Sequence, residues 1–165
     1  FKQPILLSEV PTLSFYSGYH GEDEKHINSQ IFSLLRKLSH QELIYSPHVG
    51  RHTEGKIKLG IFSTCMRHHT IGRLFKNIIF SLDRNKFDIF IFHSSRTKAG
   101  NIYDEFIEKE KNGFLKNIRL PKKLMEKIEI FKREKFDILF YPDIGMSIEM
   151  YYFCLLYTSD AADES

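Results

Sequence analysis

Tryptophan is absent from this 165-residue chain, cysteine occurs twice and proline five times. Two cysteines, Cys65 and Cys154, are too few for a disulfide scaffold or a four-ligand zinc site, and point to a reducing compartment. No apolar run approaches the roughly 20 residues that a membrane helix needs. The opening FKQPILLSEV lacks the charged start and long apolar stretch of a signal peptide. Three chemical signatures are also missing. Without GxGxxG, GxxxxGK[ST] or GxSxG, dinucleotide oxidoreductase, phosphate-loop nucleotidase and esterase readings all weaken. What remains is a chain with 42% hydrophobic and 27% charged residues, close to the globular average, and long enough for about one domain. These features predict a cytoplasmic protein with a packed core and no membrane span.

The ends are unusual. The chain begins with Phe1, which is expected of an N-terminally incomplete reading frame, and CLLYTSDAADE (154–164) resembles the in-frame translation of a transposase-type sequencing adapter. Residues 154–165 are therefore expected to be a non-structural tail. Leaving out Asp160, Asp163 and Glu164 lowers the acidic total from 21 to 18 against 24 basic residues, and the net charge rises from +3 to +6.

Residues 1–55 read as a lead-in. Pro4, Pro11, Gly18 and Gly21 punctuate its start, and Ile27, Ile31, Leu34, Leu35 and Leu38 then recur at helical spacing behind the acids Glu22, Asp23 and Glu24. LIYSP (43–47) is expected to be a short strand. From Lys56 the rhythm alternates. IKLGIFS (57–63), FDIFIFH (87–93), FLKNIRL (114–120) and FDILFYPD (136–143) read as strands, the last of them buried. Residues 71–83, 101–111 and 122–135 read as helices, Pro121 standing at the position where a first turn tolerates proline. The fold class that follows is α/β: a Rossmann-like parallel sheet with helices on both faces, occupying 56–153.

Ligands of such sheets bind beyond the carboxyl ends of the strands. That rule selects the loops TCMRHHT, HSSRTKAG and PDIGMS. His68 and His69 stand between a buried strand and a helix start, where free backbone N–H groups suit an anion. Read from position alone, two ordinary loop histidines are the plainer account. His20 lies between Gly18 and Gly21 and is otherwise a turn residue. His48 and His52 have i, i+4 spacing, but Pro47 and Gly50 oppose the helix that metal binding would need, and no metal is expected. Cys65 neighbours Arg67, a cation able to lower its pKa, yet a small buried residue at a strand end is the simpler role. Lysines and arginines crowd the second half, but glutamates from Glu105 to Glu134 are interleaved with them, as on solvated helix faces, so nucleic acid is not an expected partner.

KIKLGIFSTCMRHHTIGRLFKNIIFSLDRNKFDIFIF (56–92) resembles the first strand, loop, helix and second strand of the catalytic region of O-linked N-acetylglucosamine transferase and SPINDLY-type proteins. FDILFYPDIGMS (136–147) resembles a later segment of that region, and 15–49 resembles the lead-in of bacterial relatives. The resemblance implies the N-terminal lobe of a two-lobed GT-B glycosyltransferase. Such an enzyme uses no metal cofactor and moves a sugar from UDP-N-acetylglucosamine or UDP-glucose to Ser, Thr or Asn of an acceptor protein. It further implies catalytic roles for His69 and His20, and donor or substrate contacts for Thr70, Gly145 and Asp143. The nucleotide is held chiefly by a second, C-terminal lobe that this stretch lacks, so the piece by itself is expected to be inactive. The competing reading is a non-catalytic α/β interaction module whose charged helices dock a partner.

Overall fold

A computed structural model describes residues 17–21, 23–38, 54–94, 100–143 and 145–155. They fall into two compact units, Gly50–Asp143 and a second made of Phe1–Val49 with Ile144–Ser165.

The Gly50–Asp143 unit holds the sheet. Its strands are β1 (Ile57–Ser63), β2 (Phe87–His93), β3 (Lys116–Arg119) and β4 (Ile138–Phe140), all parallel, in the order β3-β2-β1-β4. Its helices are α2 (Thr70–Phe80), α3 (Asn101–Lys111) and α4 (Leu124–Glu134). Successive side chains of a strand point to opposite faces, and β1 and β2 are in register with Leu59 opposite Ile89 and Ile61 opposite Ile91. These odd-numbered residues form one buried layer with Ile79 of α2 and Ile102 and Phe106 of α3. The even-numbered residues form the other layer, and it is aromatic. Phe92 stacks on Phe131 of α4 with ring centroids 4.4 Å apart, and Phe62, Phe90 and Phe136 surround that pair. Helices therefore cover both faces, α2 and α3 on one and α4 on the other. Gly60 lies in the aromatic layer because a Cβ there would press on Leu139 and Phe136.

Three details depart from the sequence reading. β4 spans only three residues and forms an edge of the described sheet. Ile138 and Phe140 are 44% and 39% exposed, so the apolar run FDILFYPD does not signal burial on both sides. α4 begins at Leu124 behind Lys123, so Pro121 lies outside the helix. A helix not expected from the sequence, α5 (Ile148–Leu155), takes in Cys154 and Leu155 of the expected tail. Residues 156–165, like the expected strand at 43–47 and the pair His48 and His52, lie outside the described residues.

The described residues of the second unit include a 3-10 turn at Ser17–His20 and helices α1 (Lys25–Leu38) and α5, which pack together. The acids ahead of α1 serve its start, since Asp23 Oδ1 accepts from the Lys25 N–H at 3.0 Å. Among the described residues, no helix is long and apolar enough to cross a membrane.

Candidate functional site

The strand order places the sheet's reversal between β1 and β4. The chain adds β2 and β3 on one side of β1, then returns on the other face to lay β4 on the opposite side. At such a switch point, the loops leaving adjacent carboxyl ends diverge to opposite faces and open a crevice. Here they are residues 64–69 after β1 and 141–143 after β4.

One carboxylate ties the two loops. Asp143 Oδ2 accepts from the Thr64 backbone N–H at 3.1 Å and from Thr64 Oγ1 at 2.9 Å. Asp143 is 2% exposed, and its other oxygen, Oδ1, is buried with no hydrogen-bond partner among the described residues. A buried polar atom left without a partner costs about 1–3 kcal/mol. Upstream, Ser63 Oγ accepts from the Cys65 N–H, and tight turns through Cys65, Arg67 and His69 lead the chain into α2.

His69 is the N-cap of that helix. Its backbone is extended (φ −142°, ψ 158°), its carbonyl accepts from the Arg73 N–H, and its ring Nδ1 accepts from the Ile71 N–H at 3.3 Å. Histidine here fills a position usually given to Ser, Thr, Asp or Asn. Thr70, the first residue of the helix, is exposed. The turn closes tightly over Gly72, where any Cβ would overlap the Arg67 carbonyl. His68 points elsewhere and pairs with the Arg73 guanidinium at 2.8 Å on the surface. Cys65 is buried and its thiol is pushed above the usual value by burial, with the charge of Asp143 and a hydrogen bond to it adding to the effect; the Thr64 hydrogen bond and Arg67 oppose but do not win. It is therefore a protonated thiol near neutral pH, and not an activated nucleophile.

The sequence reading passed over a further group at this edge. His93 ends β2, opposite Ser63 of β1 and Arg119 of β3. It is 1% exposed, edge-on to Tyr103 at 4.8 Å, and its Nε2 lies 2.8 Å from Asn117 Oδ1. The Asn117 amide donates to the Phe106 carbonyl and to Glu110 Oε2, which fixes Oδ1 as an acceptor. His93 Nε2 is therefore the protonated nitrogen, and Nδ1 carries a lone pair that has no partner. Burial holds its pKa below the ordinary imidazole value, against the opposing pull of the Asn117 hydrogen bond. The available signal was period 2, since His93 continues the face of Ile89 and Ile91.

The structure thus brings Asp143, Thr64, His69 and Thr70 to one edge of the Gly50–Asp143 unit. His20 and Gly145 belong to the other unit. His20 is exposed at the end of the 3-10 turn, before Gly21 at φ +76°. Gly145 has φ +91°, a left-handed conformation that favours glycine for backbone reasons alone. Among the described residues, no three His, Cys, Asp or Glu side chains are grouped to hold a metal ion. No family model, curated protein or solved structure matches the chain.

Proposed function

We propose that the Gly50–Asp143 unit is one lobe of a nucleotide-sugar-dependent protein glycosyltransferase. In this reading its carboxyl edge holds the sugar and acceptor ends of the substrates. The parent enzyme works in the cytoplasm, and a second lobe clasps the UDP. The observation that carries the reading is the coincidence of motif and topology. The stretches resembling the transferase, 56–92 and 136–147, contain the two loops that flank the sheet's reversal, 64–69 and 141–143, and Thr64 and Asp143 join those loops. A helix start beside that reversal suits the partial negative charge of sugar and diphosphate oxygens.

In the reaction, an acceptor oxygen attacks the anomeric carbon and UDP departs. The lobe's part is to orient the sugar, supply hydrogen-bond donors from the first turn of α2, and assist removal of the acceptor's proton. Thr70 and the cap His69 stand where such donors are needed, while the roles of His20 and Gly145 follow from the resemblance alone.

The test is UDP release and sugar incorporation by the full-length protein. UDP-N-acetylglucosamine or UDP-glucose is offered with a denatured protein mixture as acceptor. Incorporated sugar is the expected result. Its absence with both donors, in a folded protein, overturns the reading in favour of an interaction module.

A further inference from the structure

We infer that Asp143 is the group that takes the acceptor's proton, and that His69 acts as a hydrogen-bond donor; this rests on the transferase reading above. The argument is one of hydrogen-bond capacity. A neutral imidazole has one N–H and one lone pair. The lone pair of His69 is committed to the Ile71 N–H through Nδ1, so the proton resides on Nε2. To accept a proton at Nε2, His69 would first have to release the helix cap.

Asp143 is in the opposite condition. A carboxylate is acceptor-only when ionised, with capacity on both oxygens. Oδ2 is occupied by the two Thr64 donors, which fix the carboxylate's orientation from both a backbone and a side-chain group. Oδ1 is the acceptor without a donor within hydrogen-bond distance among the described residues, the Cys65 thiol being the polar group that also interacts with this carboxylate. A hydroxyl brought to it removes the cost of an unpaired buried oxygen, and in surroundings poor in water the interaction gains strength. His93 also has an open lone pair, but its ring is fixed between Asn117 of β3 and Tyr103 of α3, away from the β1/β4 reversal.

The step balances as follows. The acceptor O–H bond breaks and its proton passes to Asp143 Oδ1. The acceptor oxygen forms a bond to the anomeric carbon as the bond from that carbon to the diphosphate oxygen breaks, and the electron pair leaves with UDP. Asp143, now a neutral acid, returns the proton to solvent after product release. His69 Nε2–H donates to an oxygen of the sugar throughout.

Two substitutions separate the roles in the full-length protein. Asp143→Asn keeps an oxygen for Thr64 but cannot take the proton, and kcat should fall about 100-fold, the scale of a lost general base, with KM for the UDP-sugar little changed. His69→Asn keeps an N-cap and loses only the Nε2 donor, so kcat should fall by no more than about 10-fold. The wild-type pH profile is a check independent of any substitution, because an acid limb of kcat centred near about pH 6.5, the imidazole range, overturns the assignment. Wild-type kcat in a folded Asp143→Asn protein also overturns it, as does a larger loss in His69→Asn than in Asp143→Asn. Any of these results, obtained while the wild type transfers sugar, leaves the transferase reading standing. Failure of the wild type to transfer removes both.

Discussion

His93 shows how a single buried ring couples the end of a strand to the solvent's acidity. Its neutral form is locked by Asn117, and burial penalises the charged form. Because its pKa is lower folded than unfolded, the unfolded chain binds more protons as the pH drops below the ordinary value of about 6.5. The contribution is therefore fully present above that value and lost as the pH falls through the folded pKa. Thermal melts from pH 7 downward should show Tm declining in this window. His93→Phe keeps the ring packing on Tyr103 and Phe106 and should flatten this part of the profile, while costing about 1–3 kcal/mol at neutral pH because Asn117 Oδ1 is left unpaired. An unchanged slope in the variant would exclude His93 as its source.

Among the elements, α2 is the one on which the site depends, and its first turn has no spare volume. Gly72→Ala would drive a methyl group into the Arg67 carbonyl. Relief requires moving backbone rather than a side chain, so a loss of about 3 kcal/mol or more is expected in chemical denaturation, at the upper end of overpacking costs. A loss below about 0.5 kcal/mol, the ordinary range for neutral substitutions, would show that the turn can open. The same element shows what the sequence discloses. The limits of β1, β2 and α3 coincide with those read from apolar runs and helical spacing, because burial and local punctuation both act within one segment. The histidine loop was also legible as the connection beyond a carboxyl end. The bond from Thr64 to Asp143 was not, since nothing local marks partners 79 residues apart. Nor was the exposure of Ile138 and Phe140, because a run of apolar residues reports its own composition and not whether a neighbour strand lies alongside. His93 was missed for a related reason. At the end of so apolar a strand it reads as punctuation, and only the arrival of Asn117 from β3 gives it a partner.

For the molecule as a whole, the exposed rim at β4 is the clearest liability. Ile138 and Phe140 on the edge strand, together with Leu74 and Ile78 on α2, leave large apolar side chains in water, and Phe75 packs on Phe140 between them. Apolar edges of this kind template association with other strands. Light scattering over a concentration series should detect association of the wild-type chain, and Ile138→Lys, which places a charge on the rim, should reduce it. Equal association in the variant would move the contact elsewhere. The lysines and glutamates of the helices add little to this balance. The pair Lys123–Glu126, for example, is solvent-facing at 3.4 Å, where ion pairs are worth about 0–1 kcal/mol.

The returning strand also sets an order of events. β1, β2 and β3 lie side by side in the order they are made, so their pairing asks only for closure of the intervening helical excursions, whereas β4 must come back across the whole unit to reach β1. During synthesis the first three strands are made before Asp143 is added to the chain. Thr64 then waits for its carboxylate until the last stretch of the unit has emerged, and a nascent chain stalled short of that point would lack both β4 and the tie that Asp143 makes to the loop after β1.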